Sequence, residues 1–129
     1  FTAAFNNLFL YTSGPAAHIK TAIAGTAPND RTVNIQLNSQ SLADTTMNQF
    51  ATKTFTINNI PLSSFSSNNS VRIVNESTVS TDRIVTAYIE LTYPRQFNFG
   101  NATQFVFQLA ASVQQKYLSL LCCKILYCV

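Results

Sequence analysis

The alternation of apolar and polar residues is cleanest between Arg83 and Gly100, RIVTAYIELTYPRQFNFG. Val85, Ala87, Ile89, Leu91 and Tyr93 share one parity; Thr86, Tyr88, Glu90 and Thr92 share the other. A period of two over this length predicts a strand with its first set on a core and its second partly wet. Pro94, which has no N–H for a ladder, ends it.

The same period recurs upstream. Ala16 to Gly25 predicts a strand with Ile19, Thr21 and Ile23 on one face and His18, Lys20 and Ala22 on the other. Arg31 to Asn38 turns Val33, Ile35 and Leu37 inward and Thr32, Asn34, Gln36 and Asn38 outward. Thr52 to Asn58 places Phe55 and Ile57 inward, and Ser70 to Glu76 places Val71 and Ile73 on one face. Thr103 to Ser112 aligns Phe105, Phe107 and Leu109 as a further strand. Phe1 to Gly14 reads as an edge strand or a packing arm, closed by a Ser-Gly-Pro turn signal. Ser39 to Ala51 reads as a long polar segment whose Met47 and Phe50 cap the core, and Ser63 to Asn69 reads as a surface loop. Six or seven short strands without intervening helices predict an all-β, antiparallel β-sandwich of jelly-roll type. A parallel sheet would need crossover helices.

The last residues break the pattern. Gln114 to Val129 is apolar, with Ser119 and Lys124 the polar members of its final stretch, and it holds all three cysteines, Cys122, Cys123 and Cys128. It falls short of the roughly 20 apolar residues that span a bilayer, so no membrane span is expected. It reads as a final strand, as a short helix, or as an end foreign to the domain. The expected organisation is a sandwich over 1–118 and an atypical tail over 119–129. The sequence opens on Phe1 without Met, so the start of the natural protein is expected to be missing or processed.

Composition narrows the function classes. Of 129 residues, 10% are charged, 47% are hydrophobic, and ten are Phe. That mixture suits half-buried strands and polar turns rather than disorder, which needs more charge and fewer aromatics. Eight basic residues against five acidic ones give +3. The basic residues are scattered and form no stripe, so no nucleic-acid partner is expected. With no cysteine in residues 1–121, the body relies on packing and hydrogen bonding, not on disulfides.

Candidate chemistry is sparse. His18, the lone histidine, could serve a Cys–His nucleophile pair or a metal site only with the tail cysteines, whose spacing lacks a C-x-x-C chelate. The acids Asp30, Asp44, Glu76, Asp82 and Glu90 show no facing pair of the kind a glycosidase needs. Asn29, Asp30 and Asp82 could lend oxygens to a calcium ion, without the usual Asp-rich loop. No G-x-S-x-G elbow is present. The Asn68-Asn69-Ser70, Asn75-Glu76-Ser77 and Asn101-Ala102-Thr103 sequons matter only in a eukaryotic secretory pathway. Tyr11, Tyr88 and Tyr93 are candidate sugar-stacking rings, although Trp is absent. The reading is therefore non-enzymatic and cofactor-free, with Tyr88, Glu90 and Thr92 on the outward face of the central strand as the candidate ligand face.

Ala87-Tyr88-Ile89-Glu90-Leu91-Thr92-Tyr93-Pro94-Arg95-Gln96-Phe97 resembles a strand, of the form Y-[ILV]-[DE]-x-[IL]-x-[LV]-x-Y-x-R, of the β-sandwich ahead of the catalytic domain in gingipain-like cysteine peptidases and type IX secretion sortases. Ala17 to Gly25 followed by Val33 to Asn38 resembles that domain's opening strands. The likeness covers about residues 15 to 118 and rests on structural motifs. It implies an exported protein of a Gram-negative bacterium, extracellular or at the cell surface, acting in adhesion or packing on a peptidase domain. The peptidase's Cys–His domain is not in this chain, and from Leu120 onward the sequence departs from the family's linker. A truncated or frameshifted relative, or a fragment whose end is atypical, is the expectation. The expected partner is a protein or a glycan, the latter for a carbohydrate-binding module.

Overall fold

The computed structural model describes residues 1–96, Asn98 and the backbone of the strand Cys123–Cys128. The strand predicted at Thr103 to Ser112, with Phe105, Phe107 and Leu109, lies outside the described residues. Among the described residues there are eight strands: β1 (Thr2–Asn6), β2 (Ala17–Gly25), β3 (Arg31–Leu37), β4 (Gln40–Met47), β5 (Thr52–Ile60), β6 (Asn68–Asn75), β7 (Ile84–Tyr93) and β8 (Cys123–Cys128). Among the described residues the sole helical element is a 3-10 turn at Leu62–Ser64.

The strands form two antiparallel four-stranded sheets, ordered β1-β6-β3-β4 and β5-β2-β7-β8. One core joins them. Ala3 and Phe5 of β1, Val33, Ile35 and Leu37 of β3, and Val71 and Ile73 of β6 meet Ile19 and Ile23 of β2 and Ile89, Leu91 and Tyr93 of β7, all buried. The architecture is a β-sandwich, and its inward residues are those that strand alternation selects. Phe55 and Ile57 of β5 pack on its margin.

Three expectations are corrected. Within the long polar segment Ser39 to Ala51, residues 40–47 form a strand. Asn38 and Ser39, with φ of 50° and 68°, form a two-residue turn that folds β4 back on β3, the twist that positive φ at both central positions supplies. Met47 is buried opposite Arg31, but Phe50 is 62% exposed. The chain turns at 48–51, where Gln49 has φ 36° and the Ala51 N–H bonds to the Asn48 carbonyl, and this throws Phe50 outward. The Ser63 to Asn69 loop also ends early: Asn69 belongs to β6 and is buried, bonded to Phe5, Ser66 and Asn38.

The third correction concerns β7. Its pairing with β2 shifts by one residue between Ala22↔Tyr88 and Ile23↔Thr86, leaving Ala87 as an inserted residue. Such a bulge reverses the parity of what precedes it. Val85 and Ala87 therefore face outward and are exposed, while Thr86 is buried. Only Ile89, Leu91 and Tyr93 keep the inward direction that the alternation predicts.

Candidate functional site

The outer face of the β5-β2-β7-β8 sheet carries Tyr88, Glu90 and Thr92 in one line along β7, all half-buried. Beyond the bulge their spacing of two keeps them on a common face. Register supplies their neighbours: Tyr88 lies opposite Ala22, Glu90 opposite Lys20 and Thr92 opposite His18. One strand further out, Thr54 pairs with Ala22 and Thr56 with Lys20. On the other flank, Cys128, Leu126 and Lys124 occupy the positions paired with Tyr88, Glu90 and Thr92. The surface is a phenol beside a directly opposed Lys/Glu pair and a row of threonines. The pleat fixes its spacing, with opposed Cβ atoms about 4.5–5.5 Å apart. Its chemistry is hydrogen bonding around one amphipathic ring. The other two candidate rings lie elsewhere: Tyr11 is exposed in the β1–β2 connection, and Tyr93 is buried in the core.

The calcium reading is overturned at the start of β3, in the other sheet. Arg31 Nε lies 2.9 and 2.8 Å from the two carboxylate oxygens of Asp82, with both side chains inaccessible to solvent. Its Nη2 donates to the carbonyls of Ala27 (3.0 Å) and Asn29 (2.7 Å), and its Nη1 to that of Gln49. A guanidinium thus occupies the place where Asn29 and Asp82 would have held a cation. Asp30 is turned away, accepting the Gln49 N–H at 3.2 Å. Hydrogen bonding from Arg31 holds the Asp82 carboxyl well below the usual carboxylate range. Burial opposes this and is outweighed, while the Asn75 and Asn29 amides and the Arg31 charge add to the lowering. Buried ions persist where geometry and hydrogen bonds satisfy them, as they do here.

Arg31 ties the β2–β3, β4–β5 and β6–β7 loops to one point. Gly25 makes room for it: a Cβ there would lie 1.9 Å from Arg31 Nη1 and 2.0 Å from the Gln49 carbonyl oxygen. The alternation hid this keystone in plain view, since position 31 shares the inward parity of Val33, Ile35 and Leu37. Beside it, Asp30, Thr32, Thr46, Glu76 and Val79 border an open groove of about 320 Å³. Among the described residues, no three of His, Cys, Asp and Glu converge as a metal site requires. No described helix is long and apolar enough to cross a membrane.

Compared with protein-family models, with curated proteins and with solved structures, the chain matches none.

Proposed function

We propose that this chain is a non-catalytic interaction module, the accessory β-sandwich of an exported bacterial surface or secreted protein. The observation that carries the reading is the Tyr88–Glu90–Thr92 line with Lys20 across from it. It offers a partner a rigid aromatic contact flanked by both charges and by hydroxyls, and ordering it costs little because the sheet already fixes it. The resemblance of residues 87–97 to gingipain-associated sandwiches supplies the partner: a cysteine-peptidase catalytic domain, with cell-surface adhesion as the other role.

The test is binding to a purified gingipain-type peptidase domain. Tyr88→Ala and Glu90→Gln are expected to weaken binding at least about tenfold, roughly 1.4 kcal/mol, with the strand circular dichroism unchanged. Gln36→Ala, on the other sheet, is expected to leave binding intact. Equal binding by all variants, or none by the parent protein, defeats the reading. A glycan reading is favoured by the same ring sharing one sheet face with Glu90 and with Thr54, Thr56 and Thr92. It gains if a glycan array is bound in a Tyr88-dependent way and the peptidase domain is not.

A further inference from the structure

The first half of β7 lies in a register that its own sequence does not favour. A straight ladder continuing from Thr21↔Ile89 and Ala22↔Tyr88 would set Ala87 opposite Ile23, Thr86 opposite Ala24 and Val85 opposite Gly25. Val85 and Ala87 would then join Ile89, Leu91 and Tyr93 on the core. The bulge at Ala87 instead pairs Thr86 with Ile23, Val85 with Ala24 and Ile84 with Gly25. Val85 is left 54% exposed, and the buried Thr86 hydroxyl has no partner among the described residues. Each is unfavourable.

The bulged register gains two things. Ile84 packs on the core, and Asp82, two residues earlier on the same parity, turns inward onto Arg31. Straightening β7 would turn both outward. It would also move Asp82 along the strand by one residue, about 3.3 Å, which is more than an ion pair made at 2.8 Å can absorb. The apolar side chains exchanged are similar, Ile84 in one register against Val85 and Ala87 in the other. The ion pair is the term that differs in kind.

We infer that the Arg31–Asp82 pair selects the register of β7, making Ile84–Thr86 an element with two positions: bulged while the pair is made, straight when it is broken. A one-residue slip exchanges the faces of every side chain involved. Beside Tyr88 the outer sheet face presents Val85 and Ala87 in the first state and Ile84 and Thr86 in the second. Any event that opens the β6–β7 loop is thereby transmitted to that face, through two discrete arrangements and not through gradual deformation. The inference does not depend on what the face binds.

Cross-linking reads the register directly. With Cys122, Cys123 and Cys128 replaced by Ser, one protein carries Ala24→Cys with Val85→Cys, opposed in the bulged state, and another carries Ala24→Cys with Thr86→Cys, opposed in the straight one. Directly opposed positions are within disulfide reach. The 24–85 bond is expected to form with Asp82 present. Asp82→Asn is expected to shift the ratio of the two products toward 24–86 at least about tenfold while the sheet signal persists. Unchanged dominance of 24–85 overturns the inference. Unfolding with neither bond formed also counts against it, because the pair would then hold the fold and not choose between registers. Deleting Ala87 supplies the second arm. It straightens the ladder with Asp82 still on Arg31, so Asp82→Asn in that background is expected to leave 24–85 dominant. A shift there too would show that the bulge is not what the pair controls.

Discussion

Arg31 and Asp82 stand fifty-one residues apart in sequence, and Nε of the one bonds both carboxylate oxygens of the other in a site closed to water. Three backbone carbonyls complete the guanidinium's shell, and Asn75 donates to the carboxylate at 2.9 Å. One side chain thus fixes three loops at one end of the sandwich. At the opposite end the work falls to amides: Asn38 bonds the Ser64 carbonyl at 2.9 Å, and Asn69 bonds Phe5 and Ser66.

The lowered carboxyl of Asp82 makes stability depend on acid in a defined direction. In the unfolded chain Asp82 titrates near the ordinary value of about 3.9; in the fold it titrates lower. As pH falls, the unfolded state takes up the proton first, so the contribution is present above about pH 4 and is lost below it. Urea midpoints are expected to fall from about pH 5 downward. Asp82→Asn is expected to be less stable at pH 7 and to show a shallower fall between about pH 5 and 2. Asp30, Asp44, Glu76 and Glu90 are common to both proteins and cancel in the difference. Parallel curves for the two would refute the linkage.

Gly25 is required by close approach. Its added Cβ would collide with a guanidinium held from four sides and with the Gln49 backbone, so neither neighbour is a free side-chain end. Gly25→Ala is expected to destabilise by about 1–3 kcal/mol, the range for overpacking. Gly25→Ala with Arg31→Ala is expected to lose less than the sum of the two single changes. Thermal unfolding of the four proteins measures both, and strict additivity would refute the clash.

The sheet strands were legible because alternation reports burial directly, and β2, β3, β6 and the second half of β7 follow it. Two kinds of feature escaped. β4 was obscured because an edge strand with polar residues on both faces, such as Asp44 and Thr45, carries no period. The turn that makes it, Asn38-Ser39, lacks the glycine that usually advertises such a hairpin. The bulge at Ala87 was invisible for the opposite reason. The local pattern was clean, and a contact with a residue fifty-one positions away overruled it. The parity of Arg31 with Val33 was the available signal for that contact. The line Tyr88, Glu90, Thr92 needed nothing beyond β7 itself, but its neighbours Lys20 and His18 required the pairing of two strands.

That turn yields a simple gain. Ser39 adopts φ 68°, a conformation that costs a side-chain-bearing residue and costs glycine little. Ser39→Gly is expected to stabilise by about 0.5–1 kcal/mol, because the hydrogen bonds recorded for the turn belong to Asn38. A rise in the urea midpoint with an unchanged slope checks it. A fall would mean that the turn is not of the two-residue kind.

Thr86 offers a sharper test of the register. Its hydroxyl is buried without a partner among the described residues, and the residue is buried opposite Ile23, its cross-strand partner. Val has nearly the same shape and no polar atom to desolvate. An unsatisfied buried hydroxyl costs about 1–3 kcal/mol, so Thr86→Val is expected to stabilise by about 1 kcal/mol or more. The change also favours the bulged register over the straight one, because only the bulged register buries position 86. Amide exchange at Ile84 to Thr86 is therefore expected to slow by more than global stabilisation accounts for. Loss of stability in Thr86→Val would mean that the hydroxyl is bonded and that the bulge carries no unpartnered group. Faster exchange would place residue 86 on the outer face.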